Sequence, residues 1–336
     1  MGVASKKVDP SDHSPLHEGR QLTEDFLLKN GYSDTQIGEY HEVLARFRLR
    51  FHPKDQLAPD PVEHYITARD GSNIFVQEFI PAHPKAVVIG QPGNSCQGDL
   101  YFPLADHLYF KDIGLIAADN RGHGRSGPAR GRFDHPEQMF SVYDALVDKF
   151  KDMPVHLLGE SLGTTMFAAY LAAGSEASMR VSSVIFLVPP YNLRRHWVLG
   201  PARYLIKLVL GILRVFTWDR AFLSFKPDLR PTYFPEYHEI DVVDPIRAPK
   251  STAVHLLNLI RQIERFHADA AAITIPLLVL AGTGDKDLEP PTDIAKRSRG
   301  TTVKIFENAD HSLMFDKNSQ GSFDIISSWL EGGWQA

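Results

Sequence analysis

Three residues lying far apart in the chain have the types and surroundings that acyl-transfer chemistry requires. Gly159-Glu160-Ser161-Leu162-Gly163 follows the apolar run 155–158 and precedes the small-residue stretch 164–173. A G-x-S-x-G string between a strand and a helix is a nucleophile elbow, a sharp turn that strains the serine backbone and leaves no room for side chains at the glycines. A serine hydroxyl attacks only when a base takes its proton, and that base needs an acid to hold its tautomer. The run 277–281 reads as a buried strand ending in Gly282-Thr283-Gly284-Asp285, which makes Asp285 the candidate acid, with Asp287 and Asp310 as rivals. The next strand pattern, 302–306, leads into Glu307-Asn308-Ala309-Asp310-His311, which makes His311 the candidate base.

Acyl transfer also needs two donors for the oxyanion, one of them the N–H of the residue after the nucleophile, here Leu162. The second belongs to the loop Gly90-Gln91-Pro92-Gly93-Asn94-Ser95. Pro92 has no N–H, so Gln91 is expected to donate, with Asn94 as the alternative. Cys96 lies nearby, but no histidine is placed to activate it, and a small packed residue is the expectation.

These groups need a scaffold that brings strand ends together. Short apolar runs at 86–89, 113–118, 155–158, 181–188, 275–281 and 302–306 are separated by helical patterns, clearest at 143–150, 161–173 and 323–334. Such alternation implies an α/β fold with a mostly parallel sheet covered on both faces. Segments 65–69 and 74–80 flank Asp70-Gly71 and suggest a hairpin. Residues 1–60 differ in composition, with a polar arm followed by a helix after the N-cap Ser33, whose stripe Ile37, Tyr40, Leu44, Phe47 and Phe51 should dock on the main domain. Between about 189 and 272 helical and Pro-rich segments interrupt the alternation.

Composition narrows the classes further. The 336 residues are 43% hydrophobic, and 36 Lys and Arg against 41 Asp and Glu give a net charge of −5, so no global positive field would attract a nucleic acid. One cysteine excludes an intramolecular disulfide and a cysteine-based zinc site, which suits a reducing cytoplasm. The first ten residues lack the apolar core of a signal peptide, and Lys6 stands where a myristoylation signal wants Ser or Thr. The longest charge-free apolar runs, 181–193 and 271–284, fall short of the roughly 20 residues a membrane span needs. No motif supplies a metal or cofactor site.

Asp119-Asn120-Arg121-Gly122-His123-Gly124-Arg125-Ser126 after a strand, with Gly-Glu-Ser-Leu-Gly, Gly-Thr-Gly-Asp and Asn-Ala-Asp-His, resembles the α/β-hydrolase superfamily, particularly its monoacylglycerol lipase and lysophospholipase-like branch. The similarity runs over about 64–334. It implies a hydrolase domain at 61–336, a cap at about 189–272 inserted after the sixth strand, and hydrolysis of lipid-like or medium to long acyl esters through an acyl-enzyme on Ser161. The chain order Ser161, Asp285, His311 is that of this fold. Two departures stand out: the His-Gly pair common after the third strand is Ile89-Gly90, and residues 1–60 lie outside the resemblance. Thioesterase or acyltransferase chemistry would use the same intermediate, and a non-catalytic scaffold of the same fold is the alternative of another class.

A dinucleotide reading competes, because Gly122-His-Gly124-Arg-Ser-Gly127 spells G-x-G-x-x-G after a strand. That fingerprint must open a helix, and Pro128-Ala-Arg-Gly131 is a loop composition. In the interruption, Pro201 suits the start of a helix reaching about Trp218. Arg203, Lys207 and Arg214 form one edge, and Leu205, Ile206, Leu208, Val209, Ile212, Leu213, Val215 and Phe216 the opposite arc. The expectation is a lid packed inward over the site, its cations available to headgroups of a lipid surface when it tilts.

Overall fold

Unbroken runs of Val, Ile, Leu and Ala suit strands buried on both faces, and such runs form the centre of the molecule. The structure, a computed structural model, describes residues 20–190, 192–193, 201–217, 220–224, 233–244, 246–247, 250–285, 288–289, 294 and 300–335. In chain order the elements begin with α1 (Gln21–Lys29), α2 (Asp34–Phe51), β1 (Val62–Thr67), β2 (Asn73–Phe79), β3 (Ala86–Gln91), α3 (Phe102–Tyr109) and β4 (Ile113–Ala118). They continue with α4 (Phe140–Lys149), β5 (Val155–Glu160), α5 (Leu162–Ala173), β6 (Val181–Leu187), β7 (Asn192–Leu193), α6 (Ala202–Thr217), β8 (Leu223–Ser224) and α7 (Pro235–Val243). The last are β9 (Lys250–Ser251), α8 (Ala253–Ala271), β10 (Leu277–Gly282), β11 (Leu288–Glu289), β12 (Thr301–Phe306) and α9 (Ser319–Leu330).

Among the described residues the main sheet has eight strands in the order β1-β2-β4-β3-β5-β6-β10-β12. The β1–β2 hairpin and the β2–β4 pair are antiparallel, and from β4 to β12 every pairing is parallel. This is the α/β-hydrolase architecture expected. Side chains alternate between two cores: Val88 and Leu158 face one shared with α2, α3 and α9, while Val87, Ile89 and Leu157 face one shared with α4, α5 and the end of α8. All parallel strands run the same way, so their C-terminal ends form one edge, where ligand sites of open α/β sheets lie.

The Ser33 cap is present as a capping box with Gln36, and Ile37, Tyr40, Leu44 and Phe47 are buried, as the stripe requires. Helix α3 was not foreseen, because its eight residues are too short to display a period. The helix expected at 143–150 begins at Phe140, and that expected at 323–334 spans Ser319–Leu330. The polar arm 1–19, Trp218 and Asp287 lie outside the described residues.

The reading of α6 needs correction. It packs on α8 through Leu210, Ile206 and Leu213, a narrow seam, and most of its apolar arc points away from the protein: Leu205 is 65% and Phe216 78% exposed. Its position is set by charge, since Glu264 of α8 accepts Lys207 Nζ at 3.0 Å and pairs with Arg203 at 3.2 Å. Two of the three cations are therefore turned toward α8, and the wide apolar face is left outside.

Candidate active site

Ser161 sits between β5 and α5 with φ +49° and ψ −111°, a conformation rare for a non-glycine residue and a store of strain at a functional turn. The flanking glycines are required by contact. A Cβ on Gly159 would stand 2.6 Å from the Gly163 carbonyl carbon, and one on Gly163 would stand 2.0 Å from the Gln91 oxygen. The Ser161 N–H donates to the Leu187 carbonyl at 2.9 Å, which ties the elbow to β6.

The two downstream candidates converge on this serine. His311 Nε2 lies 3.1 Å from Ser161 Oγ, and His311 Nδ1 lies 2.7 Å from Asp285 Oδ2. Asp285 is 2% exposed at the end of β10, where it also accepts the Leu288 N–H. The loops carrying Asp285 and His311 are stitched together, with the Gly284 N–H on the Ala309 carbonyl and the Thr283 N–H on the Phe306 carbonyl. Asp310, one of the rivals, accepts the backbone N–H of His311 at 2.8 Å, so the ring nitrogen is held by Asp285.

Leu162 is buried at the first position of α5, directly after the nucleophile. Gln91 occupies the last position of β3 rather than a loop, and its side chain points into a buried network. Tyr143 donates to Gln91 Oε1 at 2.6 Å, Gln91 Nε2 donates to Asn120 Oδ1 at 2.7 Å, and Asn120 Nδ2 donates to the Pro92 and Gly93 carbonyls, both at 3.0 Å. The Gln91 carbonyl accepts Tyr101 Oη at 3.0 Å. Three successive carbonyls are thus tied back. The residue that abuts the nucleophile is Gly93, whose added Cβ would lie 3.3 Å from Ser161 Cβ; sequence reasoning passed over it while seeking donors. Asn94 is held from α8 by His255 Nε2 at 2.7 Å. Burial pushes the His255 ring down to about 3, so it stays neutral there.

These residues open on a cavity of about 160 Å³, whose walls include Gln97, Glu160, Tyr237, Asp244 and Phe315 as well as Ser161 and His311. Cys96 lines it too and is half-buried. The Asp244 carboxyl, hydrogen-bonded by Gln97 Nε2, is pushed up to about 7 by burial. Among the described residues no group of three or more His, Cys, Asp or Glu could hold a metal ion. The Gly122–Gly127 run makes a closed loop, its Gly122 N–H on the Gly127 carbonyl, and no helix begins there, which removes the dinucleotide reading.

Such a site can pass a proton from Ser161 to His311 while Asp285 holds the ring. Residues 82–318 match the sequence profile of a hydrolase family described as serine aminopeptidase S33. A monoacylglycerol lipase of Mycolicibacterium smegmatis is 24% identical over 80% of this chain and 96% of its own. An uncharacterized Escherichia coli K12 protein, YnbC, is 25% identical over 80% of this chain, which spans about half (47%) of that relative's length. A soluble variant of the Saccharomyces cerevisiae monoglyceride lipase, solved with a substrate analog, superposes with a TM-score of 0.68 at 19% identity, covering 81% of this chain and 95% of that one. Because the profile spans well over half of the chain and contains the elbow, Asp285 and His311, the protein belongs to the serine aminopeptidase S33 family of α/β-hydrolases, and within it the chain is similar to monoacylglycerol lipases.

Proposed function

We propose that the protein is a carboxylic ester hydrolase that works through an acyl-enzyme on Ser161, with His311 as base and Asp285 as the acid that orients it. The observation that carries this reading is the continuous pair of contacts, 3.1 Å from Ser161 Oγ to His311 Nε2 and 2.7 Å from His311 Nδ1 to Asp285. As Oγ bonds to the ester carbon, its proton passes to Nε2 and the carbonyl electron pair moves onto oxygen; collapse expels the alcohol, which takes the proton from the imidazolium. Water repeats the sequence on the acyl-enzyme. The Leu162 N–H is assigned to the oxyanion, together with a second donor from 91–94, with Gln91 first and Asn94 as the alternative. That the carbonyls of Gln91, Pro92 and Gly93 are engaged elsewhere supports this assignment, since the acceptor side of the turn is occupied.

The substrate class follows from two observations. Relatives named as lipases point to lipid-like esters, and the outward apolar face of α6 offers a surface that lies on a membrane from which such esters can be taken. No described helix is long and apolar enough to cross a membrane. The cavity of about 160 Å³ is smaller than the roughly 300–1,000 Å³ of small-molecule sites, so a medium or long acyl chain requires an outward movement of the cap. A fluorophosphonate probe tests the reading directly: the wild type should be labelled at Ser161, and Ser161→Ala should lose both label and at least about 10³-fold of esterase rate. Unlabelled folded wild-type protein would leave a scaffold of this fold.

A further inference from the structure

Glu160, the residue before the nucleophile, has no role in the chemistry assigned so far, and its surroundings are unusual for a carboxylate. It ends β5, is 4% exposed and lines the same cavity as Ser161 and His311. Among the described residues no Lys or Arg forms an ion pair with it. Its carboxylate instead accepts the hydroxyl of Ser312, the residue directly after His311. A carboxylate taken out of water without a cation is costly, and such a residue persists when something in the working cycle compensates it. The cation available here is transient. His311 becomes imidazolium when it takes the Ser161 proton, and the two groups already sense each other, since burial raises the Glu160 carboxyl while the Ser312 hydrogen bond and the charge of His311 lower it.

We propose that Glu160 is a positioning residue for the reaction at Ser161: through Ser312 it holds the loop that carries His311, and its charge supplies the imidazole with a second carboxylate in addition to Asp285. The elbow thereby fixes its own base. One side of the turn presents the nucleophile, and the preceding residue grips the loop of the group that deprotonates it. Among the described residues none of the other titratable groups around this pair forms an ion pair with Glu160, whose carboxyl is shifted by burial, Ser312 and His311. Tyr101 faces Glu160 from the segment before α3 and is pushed well above its ordinary range, so it stays neutral. Tyr233 Oη accepts the Ser312 N–H, and Cys96 lies on the same wall. Asp244 and Arg247 line the cavity from the cap side.

This inference rests on the hydrolase reading, which the fluorophosphonate label tests separately, so its own test uses a readout that needs no turnover. The His311 ring signal is followed by NMR against pH in the full chain, assigned by its loss in His311→Gln. Glu160→Gln keeps the size and a hydrogen bond to Ser312 but removes the charge. The His311 midpoint should fall by about half a pH unit or more, and the acid limb of kcat/KM should move with it, while kcat falls roughly tenfold at nearly constant KM. Ser312→Ala leaves the charge in place, so its midpoint should stay at or above that of the wild type, while kcat falls because the loop is released. A His311 midpoint unchanged in Glu160→Gln would overturn the proposal. So would a fall in Ser312→Ala, which remains informative if Glu160→Gln does not fold.

Discussion

Ser161 is held in a backbone conformation that other side chains reach only at the cost of strain, so a substitution that preserves the backbone isolates its chemistry. The same holds for the acid. Asp285→Asn keeps the contact to His311 but favours the wrong tautomer, and it should cost about 10³–10⁴ in kcat. Asp310→Asn, which touches a backbone N–H, should cost far less; steady-state kinetics on a p-nitrophenyl ester would separate them, and a reversed pattern would move the acid. Asp244 supplies a pH effect of definite sign. Its folded carboxyl titrates at about 7, above the ordinary range, so between roughly pH 4 and 7 the folded state keeps a proton that the unfolded chain has released. Stability from this group is present at low pH and is lost as pH rises through 7. Asp244→Asn should therefore raise Tm relative to the wild type at pH 8, raise it less at pH 5 and change it little below about pH 4, by paired thermal melts. The elbow and the two strand-end residues were legible because glycine spacing and strand order leave few alternatives. Glu160 and Gly93 were not. Position x of G-x-S-x-G is free at the level of spacing, and contact with Ser161 Cβ is a property of the folded turn.

Among the elements, the sheet was legible because runs such as 113–118 and 277–281 are apolar on both faces, whereas partner choice was not. The α6 sequence specifies a wide apolar arc with a basic edge, and either side could have turned inward. What decided it was Glu264, some 57 residues on in another helix. A similar long-range pairing joins α2 to α7. Arg50 contacts Glu236 at 2.6 and 2.9 Å, Arg46 contacts Glu239, and Phe51 meets Phe234 edge-on at 5.5 Å. Phe47 reaches Phe315, which stacks at 4.1 Å on Tyr237 in the cavity wall. Helix α2 thus braces the wall from outside, although it lies beyond the 82–318 match. Arg50→Glu should reduce kcat/KM a few-fold by loosening α7, and adding Glu236→Arg should restore most of it. A double-mutant cycle with no coupling would show that the brace does not act through this pair.

At the scale of the whole molecule, the proposed contact with lipid would be apolar rather than electrostatic, because the apolar face of α6 is outward and Arg203 and Lys207 are turned toward Glu264. Activity on long-chain esters should rise with zwitterionic vesicles as much as with anionic ones, and Leu205→Ser with Leu208→Ser should remove the rise while leaving hydrolysis of a two-carbon ester intact. An ester series from two to sixteen carbons, with and without vesicles, measures both; an optimum at acetyl indifferent to vesicles would contradict the lipid reading. The reach of α2 across the molecule also bears on the order of folding. Its stripe is synthesised well before its partners, since Glu236 follows Arg50 by 186 residues, and closing so long a loop is slow. Until then the rings of Phe234, Phe315 and Phe323, which pack on Phe47 and Phe51, are missing. Once docked, the same segment seals Arg125, which lies fully buried between Asp99 and Asp119 with Thr23 and Tyr40 closing the network. The segment that closes this long loop is therefore also the stopper over a buried cluster of charges, and its departure would let water reach them before the sheet itself opened.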